Sequence, residues 1–233
     1  FLHVPPPPSN GGIYFLGKLL WAKGLDTLLQ LETDFRRRTG HYFPIDIVGA
    51  GPDQHDIQSA FLAKQSSSPK QQARFVGRQD HLAYCQEYKI FVNPSLSEVL
   101  CTATAEAVAM GKFVLIPAHP SNTFFELFPN VLLYRNKKEF CQLLQYATTQ
   151  QQPEPLSDEL MYQLTWEAAT ERCIQAAMIT RRDAARLDRL GKTKAQRDFY
   201  AKWHNDLTTG RKGHVFRAVL GGGSVLAEST NHQ

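Results

Sequence analysis

Short apolar runs alternate with longer segments whose apolar positions recur at helical spacing over the first 150 residues. Each short run ends at glycine, proline or a polar turn, as strands do. The predicted strands are Ile13–Leu16, Tyr42–Val48, Arg74–Gly77, Lys89–Asn93, Phe113–Ile116 and Val131–Tyr134. One predicted helix begins at Leu25. The other predicted helices cover residues 53–64, His81–Tyr88, Thr102–Met110 and Lys137–Thr148.

This order of elements predicts an α/β fold built on a doubly wound parallel sheet. The run Phe113–Ile116 is apolar throughout, which is typical of a strand that is buried on both faces. Ligands of such sheets bind beyond the carboxyl ends of the strands. Because the glycine and proline breaks follow the strands, we expect the functional loops to share that edge.

The composition divides the chain into three regions. The prolines Pro5–Pro8 and the following glycines predict a linker over residues 1–12. The α/β domain is expected over residues 13–179, and a basic helical tail over residues 180–233. Residues 181–217 hold eleven Lys/Arg against four Asp/Glu, a net +7, whereas the remainder holds fifteen against eighteen, a net −3. The basic stretch favours an anionic surface such as a membrane, or it is a solvated helix.

Several protein classes are disfavoured by what the sequence lacks. Phe1 is not followed by a charged segment and an apolar run, so we expect no signal peptide and a start within a longer protein. No apolar run approaches the ~20 residues that span a bilayer, so we expect membrane contact to be peripheral. The four cysteines form no Cys-x-x-Cys pair, which favours reduced thiols over a zinc site. A nicotinamide dehydrogenase would need a Gly-x-Gly-x-x-Gly loop after the first strand, and this chain lacks that loop.

A pair of lysines directly after the first strand is the first candidate site. Lys18 and Lys23 lie between Gly17 and Gly24, on a loop that enters a helix. Two ammonium groups near a helix N-terminus, together with its backbone N–H groups, favour a diphosphate. The alternative is a pair of surface lysines beside a turn.

A pair of acids after the fourth strand is the second candidate. Seven residues separate Glu98, on the loop, from Glu106, in the second turn of the next helix. Both carboxylates can face one cleft, and carboxylates accept hydrogen bonds from the vicinal hydroxyls of sugars and ribose. The alternative is an exposed Glu98 and an ion-paired Glu106, since a carboxylate in an apolar helix needs a partner.

The two motifs, in this order on a Rossmann-like domain, resemble the donor half of retaining GT-B glycosyltransferases over roughly residues 13–175. Longer stretches resemble the digalactosyldiacylglycerol synthases of plastids, a specific match because it covers many positions. These stretches are Tyr14–Gly24, Phe91–Lys112, His119–Asn122, Phe128–Asn130 and Leu164–Ala169. The resemblance implies the C-terminal, donor-binding half of a GT-B enzyme whose N-terminal acceptor domain is missing here.

The resemblance also implies roles for the two motifs. Lys18 and Lys23, next to Gly17, would bind the diphosphate and stabilise UDP as it leaves. Glu106 would hold the ribose hydroxyls, and Glu98 would contact the transferred galactose.

Further donor contacts are implied outside these four side chains. Gly77 and Arg78, at the end of the third strand, would border the uracil. Many related enzymes carry a Gly-Phe-Gly type segment after the first acid, where this chain has Val-Leu-Cys. The backbone N–H groups of Leu100 and Cys101 and the hydroxyl of Thr102 remain there for the phosphates. We expect Trp21 and Trp166 to be packing residues rather than ligand contacts.

The implied reaction is transfer of galactose from UDP-galactose to monogalactosyldiacylglycerol, with retention and without a metal or other cofactor. The implied location is the surface of the chloroplast outer envelope membrane. No nucleic acid partner is expected. Two alternatives stay open: another UDP- or ADP-sugar GT-B enzyme, and a non-catalytic nucleotide-binding or lipid-surface module. Because a GT-B active site lies between two domains, we expect this fragment to bind UDP and to be inactive alone.

Overall fold

A computed structural model of the chain describes residues 1–2, 4–65, 73–96, 98, 100–150, 152–178 and 180–189. The chain divides into two compact units, the first from Phe1 to Ala169 and the second starting at Thr170. The first unit holds all of the predicted strands and both candidate motifs.

Six parallel strands form one sheet in the order β3-β2-β1-β4-β5-β6. The strands are β1 Gly12–Leu16, β2 Asp46–Val48, β3 Arg74–Gly77, β4 Tyr88–Val92, β5 Phe113–Pro117 and β6 Val131–Tyr134. The predicted doubly wound α/β fold is therefore confirmed. The second strand is shorter than expected, because Pro44 has no N–H group to donate to a neighbouring strand.

An α-helix follows each of the strands β1 to β4, and a 3-10 helix, Pro120–Leu127, follows β5. The helices are α1 Leu25–Thr39, α2 Gln54–Gln65, α3 His81–Tyr84, α4 Thr102–Ala109, α5 Lys137–Thr149, α6 Asp158–Gln163, α7 Trp166–Ala177 and α8 Arg181–Arg189. The helix expected over His81–Tyr88 is wrong in its length. A 3-10 turn, Cys85–Glu87, follows α3, and Tyr88 joins the sheet because it pairs with Gly12 of β1.

Alternate residues of the central strands pack into two core clusters, one on each face of the sheet. In β1, Ile13 and Phe15 face the cluster that α1, α2 and α5 cover. Tyr14 faces the other cluster, which α4 and Phe125 of the 3-10 helix complete. All residues of β4 and β5 are buried, as expected of central strands that have helices on both faces.

The two tryptophans differ in their surroundings. Trp21 packs against the first core cluster, as expected. The prediction for Trp166 is wrong, because this first residue of α7 is 86% exposed. Ala168 is the buried residue of α7. The larger side chain of Trp166, in the same turn, stays at the surface.

The predicted basic tail begins with α8, whose side chains are exposed at Arg181, Arg182 and Arg186. Residues 190–233 of the predicted tail lie outside the described residues. Among the helices that the structure describes, none combines the length and the apolarity that crossing a bilayer requires.

Candidate functional site

The strand order places the two motifs at one crevice. The sheet grows from β1 towards β3 on one side and from β4 towards β6 on the other. The chain that follows β1 leads to α1 on one face of the sheet, and the chain that follows β4 leads to α4 on the other face. Sheets of this kind bind ligands in a crevice at the carboxyl ends of the two strands where the order reverses. The loop after β1 carries Lys18 and Lys23, and the segment after β4 carries Glu98 and Glu106.

The turn after β2 supports the lysine loop. The N–H of Gly17 donates to the carbonyl of Val48 at 3.0 Å, and the N–H of Leu19 donates to the carbonyl of Ala50 at 3.1 Å. Gly49 has a φ of 142°, and a Cβ atom there would lie 1.9 Å from the Gly17 carbonyl oxygen. This turn therefore fixes the backbone on both sides of Lys18.

A close approach at Gly24 brings the second lysine to the loop after β4. Gly24 is left-handed, with a φ of 77°, and a Cβ atom there would lie 2.7 Å from the Pro94 carbonyl oxygen. Lys23 Nζ lies 2.7 Å from Glu98 Oε1, with side chains 33% and 13% exposed. Since the pair is partly exposed, it contributes on the order of 1 kcal/mol or less. Its consequence is geometric: it joins the two loops across the crevice.

Asn93, which the sequence reasoning missed, orders the loop after β4 from beneath. Its Oδ1 accepts from the N–H of Ser95 at 3.1 Å, and its Nδ2 donates to Thr104 Oγ1 at 3.1 Å. Its Nδ2 also lies 3.3 Å from the sulfur of Cys101, the residue that precedes α4. An asparagine directly between a buried strand and a proline is the signal that could have found it.

The first turn of α4 borders the crevice. Leu100 is 46% exposed, and Thr102 is exposed at the first position of the helix. Cys101 precedes the helix and makes no side-chain hydrogen bond to its first turn. The N–H groups of that turn have no partner within the helix, which makes the position suitable for an anion.

The second acid of the motif has a partner on α3. His81 Nδ1 lies 2.6 Å from Glu106 Oε2, and the buried Tyr14 hydroxyl lies 2.8 Å from His81 Nε2. Burial lowers the pKa of His81, although hydrogen bonding to Glu106 opposes the shift. The sequence reasoning required a partner for Glu106 and did not identify His81.

The remaining predicted residues lie at the same edge of the sheet. Lys18 and Arg78 are exposed, and the structure shows no ion pair for either among the described residues. Gly77 ends β3 in a left-handed conformation, and its carbonyl accepts from the N–H of Gly49 at 2.7 Å. Gly77 therefore adjoins the turn that supports the lysine loop.

Comparisons with known proteins identify the family to which the chain is similar. A family model described as "Glycosyl transferases group 1" matches residues 10–142. Digalactosyldiacylglycerol synthase 1, chloroplastic, of Arabidopsis thaliana is 46% identical over 165 residues, which cover 70% of this chain and 20% of the relative. Digalactosyldiacylglycerol synthase 2, chloroplastic, of Glycine max is 40% identical over 167 residues, which cover 71% of this chain and 35% of the relative. The predicted resemblance is confirmed, and the chain spans a fifth to about a third of the length of these two relatives.

The fold also matches solved structures. A crystal structure of TarM superposes with a TM-score of 0.58 at 15% sequence identity, covering 75% of this chain and 37% of that one. At this identity the likeness concerns the fold alone.

Proposed function

Because the chain belongs to the group 1 glycosyl transferases, we propose that it is the donor-binding domain of a digalactosyldiacylglycerol synthase. One observation carries the proposal. The lysine loop after β1 and the acidic loop after β4 meet at the point where the strand order reverses, and the 2.7 Å contact between Lys23 and Glu98 joins them. A crevice with cations on one side and carboxylates on the other suits a sugar linked to a diphosphate.

In this proposal Lys18 and Lys23 bind the diphosphate of the donor. An ammonium group has three N–H donors, so Lys23 can keep its contact with Glu98 while it donates to a phosphate oxygen. Lys18 is exposed on the same loop and adds a second positive charge. Both positive charges stabilise the negative charge that develops on UDP as it leaves.

The acids and the neighbouring loops hold the rest of the donor. Glu106 accepts from the ribose hydroxyls, while Glu98, held by Lys23, contacts the galactose. Backbone N–H groups of Leu100 and Cys101 and the hydroxyl of Thr102 face the phosphates, because Leu100 and Cys101 directly precede α4 and Thr102 begins it at the crevice. At the other end, next to Gly17 and the turn after β2, the strand end that carries residues 77–78 borders the uracil.

The reaction is the transfer of galactose from UDP-galactose to monogalactosyldiacylglycerol, with retention at the anomeric carbon. The names of the relatives support the lipid product and a chloroplast location, and we propose that the protein lies at the outer envelope surface. The lysines supply the positive charge that a divalent cation supplies elsewhere, so we propose a metal-independent reaction. The acceptor site belongs to a second domain, and the chain alone binds the donor without transferring its sugar.

Single substitutions test the donor site. We expect Lys18→Ala and Glu106→Ala each to weaken UDP binding by roughly tenfold to a hundredfold, the scale for losing a hydrogen bond to a charged group. Calorimetry on the chain measures the change, and melting temperatures show whether the variants stay folded.

Two exposed residues away from the crevice are matched controls, Lys64→Ala in the last turn of α2 and Glu154→Ala in the segment before α6. Their UDP affinity should equal that of the unmodified chain. Unchanged affinity in the Lys18 and Glu106 variants would rule out the proposed donor site.

A further inference from the structure

Three side chains from three different elements form a hydrogen-bonded chain that ends at the proposed ribose contact. Tyr14 lies in β1 and is fully buried, and His81 begins α3 with 6% of its side chain exposed. Glu106 lies on α4 with 32% of its side chain exposed. The hydroxyl of Tyr14 contacts His81 Nε2 at 2.8 Å, and His81 Nδ1 contacts Glu106 Oε2 at 2.6 Å.

The surroundings of His81 favour the neutral form of its ring. The ring lies among aromatic rings, with centroids 5.6 Å from Tyr14 and 6.2 Å from Phe91. This burial lowers the pKa of His81, and the charge of Lys112 lowers it further; Glu106 and Asp80 act in the opposite direction. Burial is the largest of these effects.

The direction of the protons follows from the groups present. An ionised carboxylate only accepts, and a neutral histidine has one donor and one acceptor nitrogen. Nδ1 therefore carries the proton and donates to Glu106, and Nε2 accepts from the hydroxyl of Tyr14. Burial also raises the pKa of Tyr14 well above its usual value, so its hydroxyl stays a donor. Each of the three groups then has a partner of the correct type.

We propose that His81 is a positioning residue that fixes Glu106 for recognition of the ribose hydroxyls. By holding Oε2, it leaves Oε1 to accept from the ligand and keeps the side chain in one orientation. Tyr14 acts through His81, because it selects the tautomer whose proton lies on Nδ1. A carboxylate that is ordered before the ligand arrives loses less conformational freedom on binding. This inference rests on the proposed role of Glu106 as the ribose contact.

Two amide substitutions separate positioning from bulk packing. The amide nitrogen of His81→Asn can take the place of Nδ1 and donate to Glu106. The longer His81→Gln places its amide near Nε2, where it contacts Tyr14 and leaves Oε2 free. Calorimetry on the chain gives the affinity ratio of UDP to 2′-deoxy-UDP, which reports a ribose hydroxyl contact. A change in packing alone would lower the affinity for both ligands equally.

We expect the unmodified chain and His81→Asn to prefer UDP by about tenfold, the scale of one hydrogen bond to a charged group. We expect His81→Gln and Glu106→Gln to lose most of that preference. If His81→Gln does not fold, Tyr14→Phe replaces it and should reduce the preference by several-fold, because the tautomer is no longer fixed.

The outcomes distinguish this inference from the proposed function. If Glu106→Gln loses the preference while His81→Gln and Tyr14→Phe keep it, the positioning role is wrong and the donor site stands. If the unmodified chain does not bind UDP, or binds both ligands equally, the proposed ribose contact is wrong and the role of His81 falls with it.

Discussion

At the scale of single residues, two buried lysines donate to backbone carbonyls rather than to carboxylates. Lys112 is 1% exposed, and its Nζ lies 2.6 Å from the carbonyl oxygens of both Cys85 and Tyr88. Lys89 is 2% exposed, and its Nζ contacts three carbonyls, the nearest that of Ser9 at 2.7 Å. Each ammonium group therefore stabilises the backbone around β4 at the expense of its own hydration.

The cost of burying Lys112 predicts a pH dependence of stability. Burial lowers its pKa to about 8, whereas the unfolded chain keeps a value of about 10.4. At pH values between these two pKa values, the unfolded chain binds more protons at this lysine than the folded chain does. The contribution of Lys112 to the free energy of unfolding therefore rises with pH. Relative to Lys112→Met, we expect the unmodified chain to gain roughly 2 kcal/mol between about pH 7.5 and about pH 9.5.

Urea unfolding of both proteins at the two pH values measures this gain. The neighbouring Cys85 and Tyr88 titrate in both proteins, so their contributions cancel in the difference to first order. The exposed Lys138→Met is the control and should show no such change. A difference between the unmodified chain and Lys112→Met that does not vary with pH would contradict a charged, buried Lys112.

At the scale of elements, the crevice depends on a contact between two loops from different parts of the sequence. The turn Gly49–Gly51 has no charged group and reads as an ordinary turn. In the structure a Cβ at Gly51 would lie 2.2 Å from the Leu19 carbonyl oxygen, so this turn leaves no room between β2 and the lysine loop. Sequence patterns describe neighbours along the chain, and a contact between loops that are distant in sequence leaves no such pattern.

The substitution Gly49→Ala tests this support. A Cβ at this position would lie 1.9 Å from the Gly17 carbonyl oxygen, and the φ of 142° is unfavourable for alanine. We expect a loss of about 2–3 kcal/mol in the free energy of unfolding, together with weaker UDP binding because the lysine loop moves.

Gly40→Ala is the matched control for this element. Gly40 also has a positive φ, of 85°, but at the end of α1 a Cβ atom on this residue would have no neighbour within 4 Å. We expect a smaller loss of about 1 kcal/mol, the cost of a left-handed conformation for alanine, and unchanged UDP affinity. Equal UDP affinity in both variants would show that the turn after β2 does not position the lysines.

At the scale of the whole molecule, the architecture was largely predictable and the side-chain partners were not. Continuous apolar runs such as Phe113–Pro117 mark central strands without reference to the rest of the chain. The pair of His81 and Glu106, by contrast, depends on how the elements α3 and α4 pack against β1. The charge motifs could be placed at one edge of the sheet, while the partners of each charge required the packed structure.

The chain covers 20% of the length of its Arabidopsis relative, and we propose that it is one part of a larger enzyme. A domain that supplies cations for the diphosphate and carboxylates for the sugars has what donor binding requires. Acceptor recognition and closure of the crevice would come from a second domain facing the carboxyl edge of the sheet.

In the proposed donor site, side chains of this chain bind a nucleoside diphosphate without a metal ion, and calorimetric titration of UDP in the presence of EDTA measures that binding. We expect saturable binding of about one UDP per chain, with the same affinity when magnesium replaces EDTA. Circular dichroism establishes that the titrated chain is folded. The absence of saturable binding by the folded chain, or binding that requires magnesium, would show that these side chains do not form a metal-independent donor site.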